Sequence, residues 1–190
     1  MRRYGSIFSK ERNKALPFFE VNMKQVFESG RISFVEVSKL LVNDYLIMVN
    51  DYENVNRFIG GMSKVFTEEQ EIGWVQEKLV ENAPVFSMIE EKSRRFIGNI
   101  ELMDLTDTEG ELGIAITAEM QNQGYGTEAV SAMVQYGFNH FGLTRIFLRT
   151  SPGNVRAIRV YEKCGFREYN RTDNHVCMEI SRQNGIREDG

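Results

Sequence analysis

The chain has little of what marks a disulfide-held, metal-held or membrane-spanning protein. Two cysteines, Cys164 and Cys177, are too few among 190 residues for a disulfide framework and fit a reducing compartment. Histidine is equally scarce: His175-x-Cys177 lacks two further ligands at usable spacing, so no metal is expected. The longest unbroken apolar run, Tyr45 to Val49, is far short of the ~20 residues of a membrane span. Met1-Arg2-Arg3 is basic, but no apolar core follows it, so no secretory signal is expected. Internal repeats and low-complexity stretches are missing too, which excludes solenoids and arrays. The net charge of −4 is too small, and the apolar fraction of 42% too high, for a disordered chain. What remains is a cytoplasmic, soluble single domain, large enough to bury roughly 70% of its unfolded surface.

The small net charge hides an uneven distribution. Residues 1–14 carry five bases and one acid, residues 51–111 fourteen acids and six bases, and residues 141–190 nine bases and six acids. Two solvated faces of different sign account for this, and so does one site with an anionic ligand on one side and a cationic one on the other. A pI near 5.4 argues against nucleic acid as the main partner.

Along the chain, Pro17 opens an expected short helix through Phe27, stopped by Ser29-Gly30. A strand follows over Arg31–Ser38, then a helix over Lys39–Asn50. Thr67 and Gln70 form a capping-box pair ahead of a second helix. Val85–Glu90, Arg95–Leu105 and Glu111–Thr117 read as an antiparallel meander. The period then changes: Gly126–Phe141 is helical, Arg145–Thr150 a strand, and Asn154–Cys164 a helix stopped by Gly165. Phe166–Thr172 and His175–Ser181 close the chain as a hairpin. The order predicts a mixed α/β (α+β) sheet domain.

One segment concentrates chemistry. In Glu111–Thr117 one strand face carries Leu112, Ile114 and Ile116, and the other only Gly113, Ala115 and Thr117. A bare face lets a ligand, or another backbone, lie along the main-chain amides. Gln121-Asn122-Gln123-Gly124-Tyr125-Gly126 then leads into a helix, where glycines and first-turn N–H groups make a phosphate cradle. It is neither a P-loop nor a Rossmann fingerprint, since no Lys-Ser/Thr and no third glycine follow. Asn154 is a good N-cap for the next helix, with Val155, Ile158 and Cys164 as its buried stripe and Tyr161 one turn before its end.

Taken together, Gln121-x-x-Gly124-x-Gly126, the small-faced strand before it, and Asn154…Ala157…Tyr161…Gly165-Phe166 after it resemble the GNAT acetyltransferase superfamily. The resemblance is tight over residues 95–181, looser over 31–94, and does not cover 1–30. The run Gly124-Tyr-Gly-Thr-Glu-Ala129 is most similar to the branch of ribosomal-protein N-terminal and polyamine acetyltransferases. It implies a mostly antiparallel mixed sheet with helices on both faces over residues 31–183, an N-terminal extension of 1–30, and a polar tail of 184–190.

The resemblance also implies a function: transfer of an acetyl group from acetyl-CoA to a primary amine, on a protein N-terminus, a polyamine or another small cationic amine. Pantetheine would run along Ile114, Ala115, Ile116 and Thr117. The pyrophosphate would sit on the amides of Gln121, Asn122, Gln123, Gly124, Tyr125, Gly126 and Thr127. Asn154 would bond the pantetheine arm, Arg159 the outer phosphates, and Tyr161 would protonate the leaving thiolate. Arg149 stands where some relatives carry a catalytic Glu, which leaves Glu111 as the candidate base, acting through water. Glu68, Glu69 and Glu71 would favour a cationic acceptor, and a homodimer stays open. The rival readings are a silent acyl-CoA-binding sensor of the same fold and an ATP-binding protein using the same loop.

Overall fold

Alternating side chains decide which face of each strand is covered, and helices cover both. The structure is a computed structural model and describes residues 23–59 and 65–182. Its strands are β1 (Gln25–Ser29), β2 (Ile32–Glu36), β3 (Val85–Glu90), β4 (Phe96–Met103), β5 (Glu109–Ile116), β6 (Arg145–Thr150), β7 (Arg167–Arg171) and β8 (Val176–Ser181). They form one sheet in the order β1-β2-β3-β4-β5-β6-β8-β7, antiparallel throughout except for the β5–β6 pair. Its helices are α1 (Val42–Val49), α2 (Glu68–Val80), α3 (Tyr125–His140) and α4 (Val155–Lys163).

Ile32, Phe34, Phe86, Met88, Ile100 and Leu102 face α3 and α4, and pack with Val130, Met133 and Tyr161. Val35, Val85, Ile89 and Phe96 face the other way, onto α1 and α2, and pack with Val42, Tyr45 and Val75. Each fully buried side chain of this size contributes roughly 1.5–3 kcal/mol. Polar groups in the second layer are satisfied. The Ser38 amide donates to the Tyr45 hydroxyl (3.1 Å), which bonds Ser87 Oγ (2.7 Å), which donates to Asn99 Oδ1 on β4 (3.0 Å). Burial pushes the Tyr45 phenol up to about 12, so it stays protonated.

Local signals place most boundaries. Thr67 and Gln70 close the expected capping box at the start of α2, a device worth about 1 kcal/mol. Gly165, at φ +92°, takes the left-handed conformation that ends α4. The helix expected up to Phe27 is not formed where the chain is described: residues 25–29 are β1. The two-residue turn Gly30-Arg31 returns the chain as an antiparallel hairpin, with Val26 outward and Phe27 inward. Phe27 stacks between Phe34 (4.2 Å) and Tyr136 (4.4 Å), a burial that period 2 delivers and a helix would not. The sheet therefore begins at residue 25, ahead of the boundary expected at 31. The rest of that helix, the basic arm 1–14 and the tail 184–190 lie outside the described residues.

Gly98 sets how closely β4 and β5 approach. A Cβ there would lie 2.0 Å from the carbonyl oxygen of Ala115, a backbone atom that cannot move aside. Gly98→Ala is predicted to cost about 1–3 kcal/mol, read in thermal denaturation as a melting point lower by several degrees. An unchanged melting point would show that the strands have slack at this position.

Candidate active site

The parallel pair β5–β6 is bonded only at its beginning. Its partners are Glu109↔Arg145, Gly110↔Ile146 and Glu111↔Phe147, after which the strands part. On its other edge β5 stays paired to β4 as far as Gly98↔Ile116, and Thr117 N–H donates to the Ile97 carbonyl at 2.9 Å. Antiparallel amides alternate in direction, so Ala115 and Thr117 bond toward β4 while Ile114 and Ile116 turn their amides to the gap. A cleft of about 510 Å³ opens there, between the end of β5, the start of α3, and α4. Asn54, Val55, Phe58 and Ile59, from the segment after α1, close one side of it.

The start of α3 faces this cleft with Gly124, Gly126 and Thr127. Gly124 is the N-cap, at φ +87°, and offers no side-chain acceptor. The first helical bond runs from Glu128 N to Gly124 O, so the amides of Tyr125, Gly126 and Thr127 have no partner within the helix. Those amides and the helix dipole favour an anion, by roughly 0.3–1 kcal/mol for the dipole alone. Gln121 braces the loop: its Nε2 donates to the Ile116 carbonyl (2.8 Å), and its Oε1 accepts from Arg156 (2.5 Å).

On α4, Asn154 accepts the Ala157 N–H through Oδ1 at 3.3 Å and lines the cleft. Its amide nitrogen is the group left to meet a ligand. Tyr161 also lines the cleft although only 6% exposed, and burial pushes its phenol up to about 12. No group among the described residues hydrogen-bonds that hydroxyl. Arg159 and Lys163 bring positive charge to the rim.

Of the residues expected to bind a cofactor, the cleft is lined by Ile114, Ala115, Ile116, Gln121, Asn122, Gly124, Gly126, Thr127, Asn154 and Arg159. Thr117, Gln123 and Tyr125 do not line it. Thr117 is tied to β4, the Gln123 side chain bonds the Glu119 carbonyl (2.6 Å), and Tyr125 is buried. The opening is at the edge of β5, not over its small face. A Cβ on Gly113 would meet Met103 Cε at 3.0 Å and Glu101 Cγ at 3.3 Å, so side chains of β4 cover the small face at that position.

Three side chains sit differently from expectation. Val155, placed in the buried stripe of α4, is 52% exposed at the cleft rim, and Tyr161 takes the buried position instead. Glu71 is buried, with its carboxyl raised by burial, whereas Glu68 and Glu69 are exposed. Glu111 does not line the cleft, and both its oxygens accept from Arg149 (3.0 and 2.8 Å). Arg149 is two residues beyond the last laddered partner of Glu111, so the pair straddles the point where the strands part. The segment 54–59 and Lys163 carry no sequence signal of their own; only the fold brings them to the cleft.

A strand that parts from its parallel neighbour beside an uncapped helix start is the geometry to compare with known proteins. A family model described as an acetyltransferase (GNAT) domain matches residues 31–167, well over half of the chain. The chain belongs to the GNAT acetyltransferase family. An uncharacterised N-acetyltransferase of Bacillus subtilis, YnaD, is 34% identical over 104 residues, which are 54% of this chain and 61% of that protein. A spermidine N(1)-acetyltransferase of Vibrio cholerae is 29% identical over 90 residues, 46% of this chain and 52% of that protein. The matched region thus spans about half to three-fifths of these curated relatives.

Among solved structures, a GNAT-family acetyltransferase from Bacillus anthracis has TM-score 0.72 at 23% identity, covering 81% of this chain and 96% of that one. Spermidine N-acetyltransferase from Vibrio cholerae, in complex with CoA and spermine, has TM-score 0.70 at 18% identity, covering 80% and 95%. At such identities the likeness is one of fold. This GNAT sheet carries the parting of β5 and β6 at its centre, where the Glu111–Arg149 pair holds the two strands. Glu111→Gln removes the charge from a pair whose arginine is 57% exposed, so the predicted cost is only about 0.5–1 kcal/mol. Differential scanning calorimetry should show a drop of about 2–4 °C per kcal/mol.

Proposed function

We propose that this GNAT domain is an N-acetyltransferase that moves an acetyl group from acetyl-CoA to a primary amine. One observation carries the reading: Tyr161, its phenol kept protonated by burial and its hydroxyl not hydrogen-bonded by any described residue, lines the cleft opened where β5 leaves β6. The residues suit acetyl-CoA. The β5 edge offers the Ile114 and Ile116 amides to the pantetheine arm, Asn154 adds a side-chain donor, the α3 amides suit a pyrophosphate, and Arg159 and Lys163 suit outer phosphates.

The chain's own residues then have little chemistry to do. A deprotonated amine attacks the thioester carbonyl and a C–N bond forms. A main-chain amide on the open edge of β5 meets the oxygen where negative charge grows. As the C–S bond breaks, Tyr161 gives its proton to the departing thiolate, a role worth typically ~10²–10⁴-fold. The surplus amine proton leaves to water. Glu111 enters as a positioning residue, because acting as base requires it to release both bonds to Arg149.

The acceptor we favour is a cationic amine of the polyamine type. The spermidine N-acetyltransferases among the relatives support this, as does the excess of acids over residues 51–111. The sensor reading loses ground because an acid group stands ready in the cleft, which binding alone does not need.

Tyr161→Phe is predicted to lower kcat at least tenfold while the Kd for acetyl-CoA changes less than twofold. Thiol release measured against polyamines, aminoglycosides and N-terminal peptides tests this; unchanged turnover sinks the general-acid role, and donor binding without turnover on any amine favours the sensor. The pH profile is a separate check. With the phenol at about 12, the Tyr161 proton is present up to pH 10, so kcat should show no alkaline fall below that pH. Asn154→Asp keeps the helix cap and loses the donor, so we expect an unchanged melting point and weaker acetyl-CoA binding by isothermal titration calorimetry.

A further inference from the structure

Glu128 presents a physical contradiction. It lies in the first turn of α3, one residue after Thr127, where the proposed cradle has to attract a pyrophosphate. A bare carboxylate there would repel the ligand that the helix dipole and amides attract. The structure resolves this with a residue from another part of the chain. Arg31 occupies the β1–β2 turn, and its backbone is fixed: its carbonyl accepts from Glu91 N–H (2.9 Å), and its own N–H donates to Glu128 Oε1.

The Arg31 side chain reaches across to the loop. Nε and Nη2 meet Glu128 Oε2 at 3.0 and 2.9 Å, and Nη2 also donates to the Gln123 carbonyl at 3.1 Å. The guanidinium lies 4.3 Å over the Tyr125 ring. Gly30 and Gly124 leave room for this crossing. A Cβ on Gly30 would fall 2.6 Å from Glu128 Oε1, and one on Gly124 3.3 Å from Arg31 Nη2.

We propose that Arg31 is a positioning residue for the acyl donor, holding the loop before α3 in its anion-receiving shape and cancelling the charge of Glu128. The inference rests on the proposed use of that loop by CoA. Three groups, one in the loop and two in the first turn of α3, are held at once: the Gln123 carbonyl, the Tyr125 ring and the Glu128 carboxylate. The carbonyl contact fixes the peptide that leads into left-handed Gly124, and hence the direction of the amides that follow. These groups stand at the start of α3 and not beside Tyr161 on α4. The effect therefore concerns the nucleotide half of the donor and not the thioester.

That distinction gives the test. For Arg31→Ala, the Kd for CoA by isothermal titration calorimetry should rise at least tenfold. With acetyl-pantetheine, which lacks the nucleotide, kcat/KM should fall less than twofold. Equal losses with both donors would mean a general loosening of the domain and would overturn the proposal, as would an unchanged Kd for CoA. Arg31→Lys keeps the charge but not the forked contact, and should lie between wild type and alanine. Should Arg31→Ala fold poorly, Arg31→Lys decides with the same two donors: a raised Kd for CoA with kcat/KM on acetyl-pantetheine changed less than twofold supports the proposal, and equal losses with both donors or an unchanged Kd overturn it. Failure of the wild-type protein itself to bind CoA would count against the proposed function, and is told apart by that control.

Discussion

A β-strand cannot leave its neighbour without exposing main-chain groups that must be met by something else. That constraint governs this molecule. β5 is bonded along one edge to β4, and along the other to β6 only as far as Glu111↔Phe147. Elsewhere an unmet amide row in a protein interior would cost about 1–3 kcal/mol per group. Here the row faces the open cleft. Everything around the parting strands is arranged to keep them at this spacing. Gly98 lets β4 approach from behind, the Glu111–Arg149 pair fixes the vertex, and Gln121 ties the end of β5 to α4.

The sheet also separates two tasks. Leu112, Ile114 and Ile116 belong to the layer under α3 and α4, where Tyr161, Asn154 and the glycine loop stand. Glu111, Gly113 and Ala115 point to the layer under α1 and α2. The cleft-lining Asn154, Tyr161 and glycine loop thus sit on one side of β5, and Glu111 with its partner Arg149 on the other.

Much of this was legible beforehand, because local rules wrote it. The capping box at Thr67, the left-handed stop at Gly165 and the helix after Gly124 each rest on contacts within a few residues. What escaped was tertiary. β1 looked helical, since Val26 and Phe27 side by side fit either period, and only the stacking of Phe27 on Phe34 and Tyr136 selects the strand. The small face of Glu111–Thr117 read as an open surface, but β4 lays Met103 and Glu101 over Gly113. Glu111 reads from sequence as a base acting through water because its partner, Arg149, is thirty-eight residues away in sequence. Arg31 carried no signal at all: its partners Gln123, Tyr125 and Glu128 come together with it only in the folded chain.

The uncapped start of α3 has a thermodynamic meaning of its own. α2 and α4 complete their first turns with Thr67 and Asn154, whereas α3 begins on a glycine that supplies no acceptor. A side-chain cap in place of glycine would add only about a few tenths of a kcal/mol, and the left-handed φ of +87° at Gly124 strains any side chain there. An anion held on those amides would complete the turn in place of a side chain. Binding there and folding are then linked: at a ligand concentration of 100 Kd the native state gains about 2.7 kcal/mol, so occupancy of this helix start is also stability of the domain.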